Sequence, residues 1–391
     1  MMSTTIAVFI ATLITTGMTS AVSHELTLLG GSFASLLFAV CALVSRNAQV
    51  FPAFLFGAIA LSALALVSAE SNTAEFSSTI HVLSSYLALL AMAFSSADLS
   101  RFCQQFILST NLLLTGWILY QATNVSALEA WQITNPSGAG NLMAAQVNMT
   151  LPLVLSRMTQ STGSTRLSYI LLLALNCAAV FLVMSRNGIG AMLIVLTLYA
   201  LFSHKRLALV VIGLIGFTAV FLDNIVRLPF MNNLLIRMRI VNFVPKAPRS
   251  VIWQISWDHI LARPGLGVGP GEPRKILAVL DINHAHNNIM QVAFETGLPT
   301  AAIYVVLVVL LLWLPFRMCL SKREHFVHTL PIIAYMIFSW TGGPLTFPGA
   351  TLLLAACVNE ARVALSRQEC AEPVWNVNRE MRSLRGVSSH A

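Results

Sequence analysis

Two histidines and three asparagines crowd the stretch NHAHNNIMQVAFETGLPT, residues 283–300. His286 is the group here best suited to chemistry, because a neutral imidazole near pH 7 can take a proton from a weak nucleophile such as a sugar hydroxyl. Upstream, between Asp223 and Asn287, lie eight basic residues: Arg227, Arg237, Arg239, Lys246, Arg249, Arg263, Arg274 and Lys275. Arginine outnumbers lysine six to two, and a guanidinium fork matches phosphate oxygens where an ammonium is only a point charge. Guanidinium groups beside His286 would also depress its pKa and keep the base form populated. Three readings stand: an interfacial histidine without a special duty, a metal site made with His284 and Asp281, or a general base beside an anion site. No HExxH pattern and no thiolate partner favours the metal, so neither metal nor cofactor is expected.

The neighbouring stretches supply candidate supports. In PRSVIWQISWDHILARPG, Ser250 can cap a helix over Val251–Leu261 with Trp253, Trp257 and Ile260 on one face, ended by Arg263-Pro264-Gly265. Beside a membrane, a short helix with two tryptophans reads as interfacial, packed on the bundle or lining a sugar or lipid site. GLGVGPG at 265–271 does not fit GxGxxG, and no strand–turn–helix unit surrounds it. It reads as a turn, with the further option of aiming backbone N–H groups at a phosphate. His286 is expected in the first turn of a helix capped by Asp281 or Asn283, sharing a face with Met290, Ala293 and Gly297. Gly297 would let a neighbouring helix approach. Glu295 would point away from His286 and need a polar partner on another span.

The elements that must carry these residues are membrane helices. Of 391 residues, 57% are hydrophobic and 10% charged, against about 25% charged in soluble domains. Apolar runs recur along the chain, long enough to cross a bilayer. Spans are predicted near 4–22, 26–44, 50–69, 79–97, 105–123, 141–156, 167–184, 188–203, 207–222, 288–314, 328–340 and 346–361. This gives an all-α polytopic membrane protein of about twelve helices. Its predicted parts are nine helices over 1–222, a large outer loop at 223–287 carrying short helices, three helices over 288–364 and a tail at 365–391. The first apolar run lacks a basic start and reads as a helix, not a cleaved signal. The six cysteines are scattered, with no CxxC pair, so no disulfide framework is expected.

Charge orients the bundle. Arg46, Arg101, Arg157, Arg166, Lys205, Arg206, Arg317, Lys322, Arg323 and the tail arginines from Arg362 onward fall on one side. The loops 23–25, 70–78 and 124–140 hold no Lys or Arg. Positive-inside bias then places both termini in the cytoplasm. Arg186 and the basic 223–287 loop break the pattern on the outer side, where long loops cross regardless of charge.

Several stretches together resemble the bacterial O-antigen ligases, within a superfamily that also holds O-antigen polymerases. His286-Asn287, nine residues and then Gly297 resembles the family's His–polar–nine–GxxG signature, with Thr300 in place of the second glycine. NPSGAGNLMAAQVNMTLPL at 135–153 is similar to an Asn-rich span start, and SRNGIGAML at 185–193 to a Ser-Arg turn. PRSVIW and PGLGVGPG match the stretches that precede the histidine. The resemblance, over roughly 135–314, implies transfer of a glycan from an undecaprenyl diphosphate carrier to a hydroxyl of lipid A–core. That reaction lies on the periplasmic face of a Gram-negative inner membrane. His286 is then the expected base and Arg249 and Arg186 the diphosphate holders, with Arg237, Arg239 and Arg263 as helpers. His284, Asn287, Gly297, Trp253 and Trp257 are expected supports. Membrane lipids are expected partners and nucleic acid is not. Two alternatives stay open: an O-antigen polymerase and a lipid-linked-glycan transporter. A transporter would carry charged residues deep in several spans, and Glu295 is nearly alone in that position.

Overall fold

In the computed structural model, the described residues are 24–45, 48–124, 140–183, 185–203, 249–280, 282, 284–321, 323–341 and 349–366, with Ile6 and Ile10. They are almost entirely helical. In chain order the helices are α1 (His24–Val44), α2 (Pro52–Ser71), α3 (Phe76–Ala88), α4 (Ser100–Asn124), α5 (Gly140–Gln160), α6 (Gly163–Leu182) and α7 (Arg186–Ser203). They continue with α8 (Arg249–Ala262), α9 (Glu272–Leu277), α10 (Asn288–Thr296), α11 (Leu298–Ser321) and α12 (Leu330–Thr341), and end with α13 (Gly349–Ser366). One antiparallel bridge joins β1 (Gln49–Val50) to β2 (Phe94–Ser95), pairing Gln49 with Ser95.

Among the described residues, six helices are long and apolar enough to cross a membrane, at Pro52–Ser71, Phe76–Ala93, Ala97–Thr123, Gly163–Leu182, Leu298–Leu320 and Gly349–Ser366. Shorter apolar helices occupy Phe33–Val44, Asn187–Ser203 and Phe326–Trp340. The predicted spans at 4–22 and 207–222 lie outside the described residues, apart from Ile6 and Ile10.

Helix α5 is the hub: it packs against α4, α6, α7 and α12. Its residues Leu142 to Leu151 are all buried, and they include Gln146, Asn148 and Thr150. A helix polar on its inner face is held by side-chain hydrogen bonds, since lipid offers no partners. Asn111 Nδ2 donates to Thr150 Oγ1 (2.6 Å), and Asn148 Nδ2 donates to the Gly188 carbonyl (2.9 Å). Ser185 caps α7, its hydroxyl accepting from the Gly188 N–H (2.9 Å) and donating to Asn141 Oδ1 (2.6 Å). The Asn-rich and Ser-Arg stretches, recognised separately in the sequence, are therefore one packed unit.

The predicted span 288–314 is two helices. The chain breaks at Gly297 (φ 88°), and α11 begins at Leu298 with Pro299 in its first turn. A proline there loses no helical hydrogen bond. A side chain at Gly297 would strike the Gly265 carbonyl oxygen. The glycine thus serves a tight backbone crossing, not the helix–helix approach expected from its spacing. The last helix also differs from expectation. Arg362, read as a tail residue, is buried inside α13 together with Glu360. Glu295 is therefore not the sole deep charge, and it sits on α10, before the apolar span.

Candidate active site

The site grows from α8. Its buried face is Ile252, Ser256 and Ile260, with Trp253 half-buried and Trp257 turned outward at 46% exposure. The two tryptophans do not share one buried face. The helix starts at Arg249, so Ser250 lies inside its first turn and is not the residue before it. The Trp253 indole N–H donates to the Ala285 carbonyl (3.0 Å), pinning the peptide between the two histidines. Arg249 stands one turn before Trp253 on the same face of α8, and its positive charge reaches His286.

His286 is not helical. It lies just before α10, whose cap is Asn287: the Asn287 side chain accepts from the Met290 N–H (3.0 Å). The expected caps Asp281 and Asn283 fall outside the described residues, and the predicted His286–Met290–Ala293 face does not form. Instead His286 takes φ 57°; among the described residues the only other non-glycine with positive φ is Thr73. That conformation costs about 1–2 kcal/mol for an L-residue. Surrounding hydrogen bonds offset it. The His286 N–H donates to His284 Nδ1 (3.1 Å), and the Ala285 N–H donates to Gln291 Oε1 (2.8 Å). Asn288 Nδ2 ties the start of α10 to Tyr304 (3.2 Å) on α11 and Ser339 (3.1 Å) on α12. Gln291 and Asn288 were not singled out as supports by sequence reasoning; the visible signal was an unusual density of amides in one apolar segment.

The two imidazoles meet edge to face, with centroids 4.2 Å apart. His284 is driven down to about 3 by burial and by the neighbouring His286. It stays neutral, and because Nδ1 accepts the His286 N–H, its ring proton is on Nε2. Burial, and then the Arg249 charge, also lower His286 below its ordinary 6.5. His286 is partly open, so the site presents a neutral, accessible imidazole next to an exposed guanidinium. A metal trio would need Asp281; among the described residues no group of three metal-ligating side chains occurs.

The glycine-rich loop closes the other end of α10. The Val268 and Gly269 N–H groups donate to the Phe294 and Glu295 carbonyls (2.9 and 3.0 Å), and the Gly267 N–H to the Arg263 carbonyl (3.0 Å). A Cβ at Gly267 (φ 66°) would sit 2.6 Å from Phe294 O. These amides cap helix carbonyls and are spent, which corrects the option of aiming them at a phosphate. Ser68 of α2 also donates to the Leu266 carbonyl (2.6 Å). Glu295 finds its partner on its own helix, not on another span: Gln291 Nε2 donates to it (2.9 Å). Burial raises its carboxyl to about 7, against the hydrogen bonds from Gln291 and the Gly271 N–H.

The arginines divide. Arg249 stands by His286. Arg263, about 21 Å further along α8, donates to Asn72 Oδ1 (2.8 Å) and does not join them. Arg186 opens α7, but its side chain, like the whole of Arg237 and Arg239, lies outside the described residues. Phe202 meets Phe326 (4.2 Å) at one end of α7, so the Arg186 end lies where α12 reaches Asn288 through Ser339.

The O-antigen ligase family model matches residues 170–305, which takes in Ser185-Arg186, Arg249, His286 and Gly297. No curated protein matches the chain. The match supports the O-antigen ligase/polymerase family, whose members are membrane glycosyltransferase-like enzymes. With the six apolar helices it points to a multi-pass membrane protein of lipopolysaccharide biosynthesis.

Proposed function

On the premise of that family match, we propose that the chain is an O-antigen ligase, a metal-independent inverting glycosyltransferase working on the periplasmic face of the inner membrane. The observation that carries this reading is a neutral, partly exposed His286, strained in backbone and seated beside Arg249. His286 takes the proton of an acceptor hydroxyl on lipid A–core as the oxygen attacks the anomeric carbon. The new glycosidic C–O bond forms as the C–O bond to the carrier breaks, and undecaprenyl diphosphate leaves as the anion. Arg249 holds the charge that develops on the diphosphate, the role for which oriented positive groups are worth most. The proton passes from His286 to water. Arg186 is the second proposed diphosphate contact, because it begins a capped helix at the same end of the bundle. Arg237 and Arg239 keep a helper role in the proposal, whereas Arg263 is committed to Asn72.

Reconstitution tests this reading. Purified chain, carrier-linked glycan and rough lipopolysaccharide should yield a ladder of capped lipopolysaccharide, unchanged by EDTA. No ladder from correctly folded protein would overturn it. The polymerase reading shares the chemistry but uses another carrier-linked glycan as acceptor. A deletion strain separates the two: loss of a ligase leaves long polymer on the carrier, whereas loss of a polymerase leaves single repeats on the core.

A further inference from the structure

The peptide that carries His286 is held from both sides. Its upstream neighbour Ala285, itself fully buried, gives its N–H to Gln291 Oε1 (2.8 Å) and receives the Trp253 N–H on its carbonyl (3.0 Å). A glutamine amide has one accepting end and one donating end, so this grip requires a fixed amide orientation. Glu295 sets it. Gln291 Nε2 donates to Glu295 Oε1 (2.9 Å), one helical turn along α10, which leaves the amide oxygen facing Ala285. A flipped amide would turn its NH₂ against the Ala285 N–H, donor against donor. Gln291 and Glu295 are both buried, so water does not readily replace either bond. A small cavity of about 20 Å³ adjoins the pair, lined among others by His81, Ser85, Tyr86 and Asn288.

We propose that Glu295 is a positioning residue for His286, acting through the Gln291 amide on the Ala285 peptide. The inference rests on the reading of His286 as the base. It gives a duty to the buried carboxyl, whose expected direction away from His286 argued against a direct dyad: it reaches the histidine through the backbone. The chain of contacts runs Glu295, Gln291, Ala285, His286, and each link is a hydrogen bond or a covalent neighbour.

The test uses the purified full chain in lipid nanodiscs, with ¹³C-labelled histidine to follow the His286 ring, assigned by its absence in His286→Ala. Glu295→Leu and Gln291→Met should each lower kcat about five- to tenfold, the scale of one lost buried hydrogen bond, with donor KM unchanged. The double variant should be no worse than either single, because both break one chain of contacts. Glu295→Gln, whose amide oxygen still accepts from Gln291, should recover most of the rate. The His286 resonance should move in Glu295→Leu and return in Glu295→Gln. If Glu295→Leu does not fold, Gln291→Met carries the same test at nearly constant volume. An unmoved resonance with wild-type kcat, or strictly additive losses, overturns the proposal. A moved resonance together with full turnover in His286→Ala would instead support the positioning and overturn the base.

Discussion

Two polar clusters, one at the Phe51 end of α2 and one at the start of α10, are built from similar residue types and put to different use. At the Phe51 end, Asn359 accepts from Ser95 Oγ (3.0 Å) and the Ser96 N–H (2.8 Å), and Glu360 accepts from Ser100 Oγ (3.0 Å) and Gln104 Nε2 (2.6 Å). Gln104 passes the connection to Arg157. Arg362 donates to the Met92 carbonyl (2.5 Å) and lies 3.5 Å from the Phe51 ring centroid. Here the chain leaves helical geometry between α3 and α4, and buried side chains satisfy the freed backbone. At the start of α10 the hydrogen bonds also hold a loop, but they hold it in a left-handed turn that sets a partly open imidazole within reach of the Arg249 charge. One cluster is buried and braces backbone; the other presents a partly open imidazole beside an exposed guanidinium. That difference, and not residue type, separates a structural lock from a candidate site.

Substitution in each cluster tests the contrast. Arg249→Ala should lower transfer about 10²-fold, the scale of a lost charge-stabilising donor, with the melting temperature unchanged. Arg249→Lys should also be impaired, because a point charge replaces a fork; wild-type kinetics in the Lys variant would argue against a diphosphate clamp. In the cluster beside Phe51, Arg362→Met should do the reverse. It should lose about 2–4 kcal/mol of stability, from a charged hydrogen bond and a ring contact, while the rate per folded molecule is kept. A rate loss there without melting would erase the distinction between the two clusters.

The pH profile is a finer probe. Burial and Arg249 hold His286 below its ordinary 6.5, so the midpoint of the acid limb of kcat/KM, where the base is protonated, should lie below that of an ordinary imidazole. Removing Arg249 takes away one of the two causes, so the acid limb of Arg249→Ala should move up. A limb that moves down would contradict their proximity. The smallest effect belongs to Trp253→Phe, which loses the Ala285 anchor but keeps the ring: a few-fold drop in kcat is expected, with stability within about 1 kcal/mol of the parent.

Much of this was legible in the sequence because local chemistry decided it. Apolar runs long enough to cross a bilayer marked the helices, and SVIWQISWDHILA followed by Arg-Pro-Gly marked α8 almost to its ends. The loop at 70–78, free of Lys and Arg, and the basic segment before His286 were assigned to one side, and Asn72 meets Arg263 and the 265–271 turn. The break at Gly297 was legible too, as glycine followed two residues later by proline, but a long apolar run hid it. What stayed hidden depended on distant partners. Nothing local says that Asn359, Glu360 and Arg362 lock Ser95, Ser100 and Met92, or that a glycine-rich turn caps a helix 25 or so residues downstream. Likewise the left-handed backbone at His286 follows from what His284, Trp253 and Gln291 do together, and no periodicity carries that information.

The account stands on His286 as the proton acceptor, and single-turnover transfer by purified His286→Ala protein in nanodiscs tests it most directly. With donor and acceptor saturating and the variant folded, transfer should fall about 10²- to 10⁴-fold while carrier-lipid binding is retained. Turnover at the parent rate would contradict it.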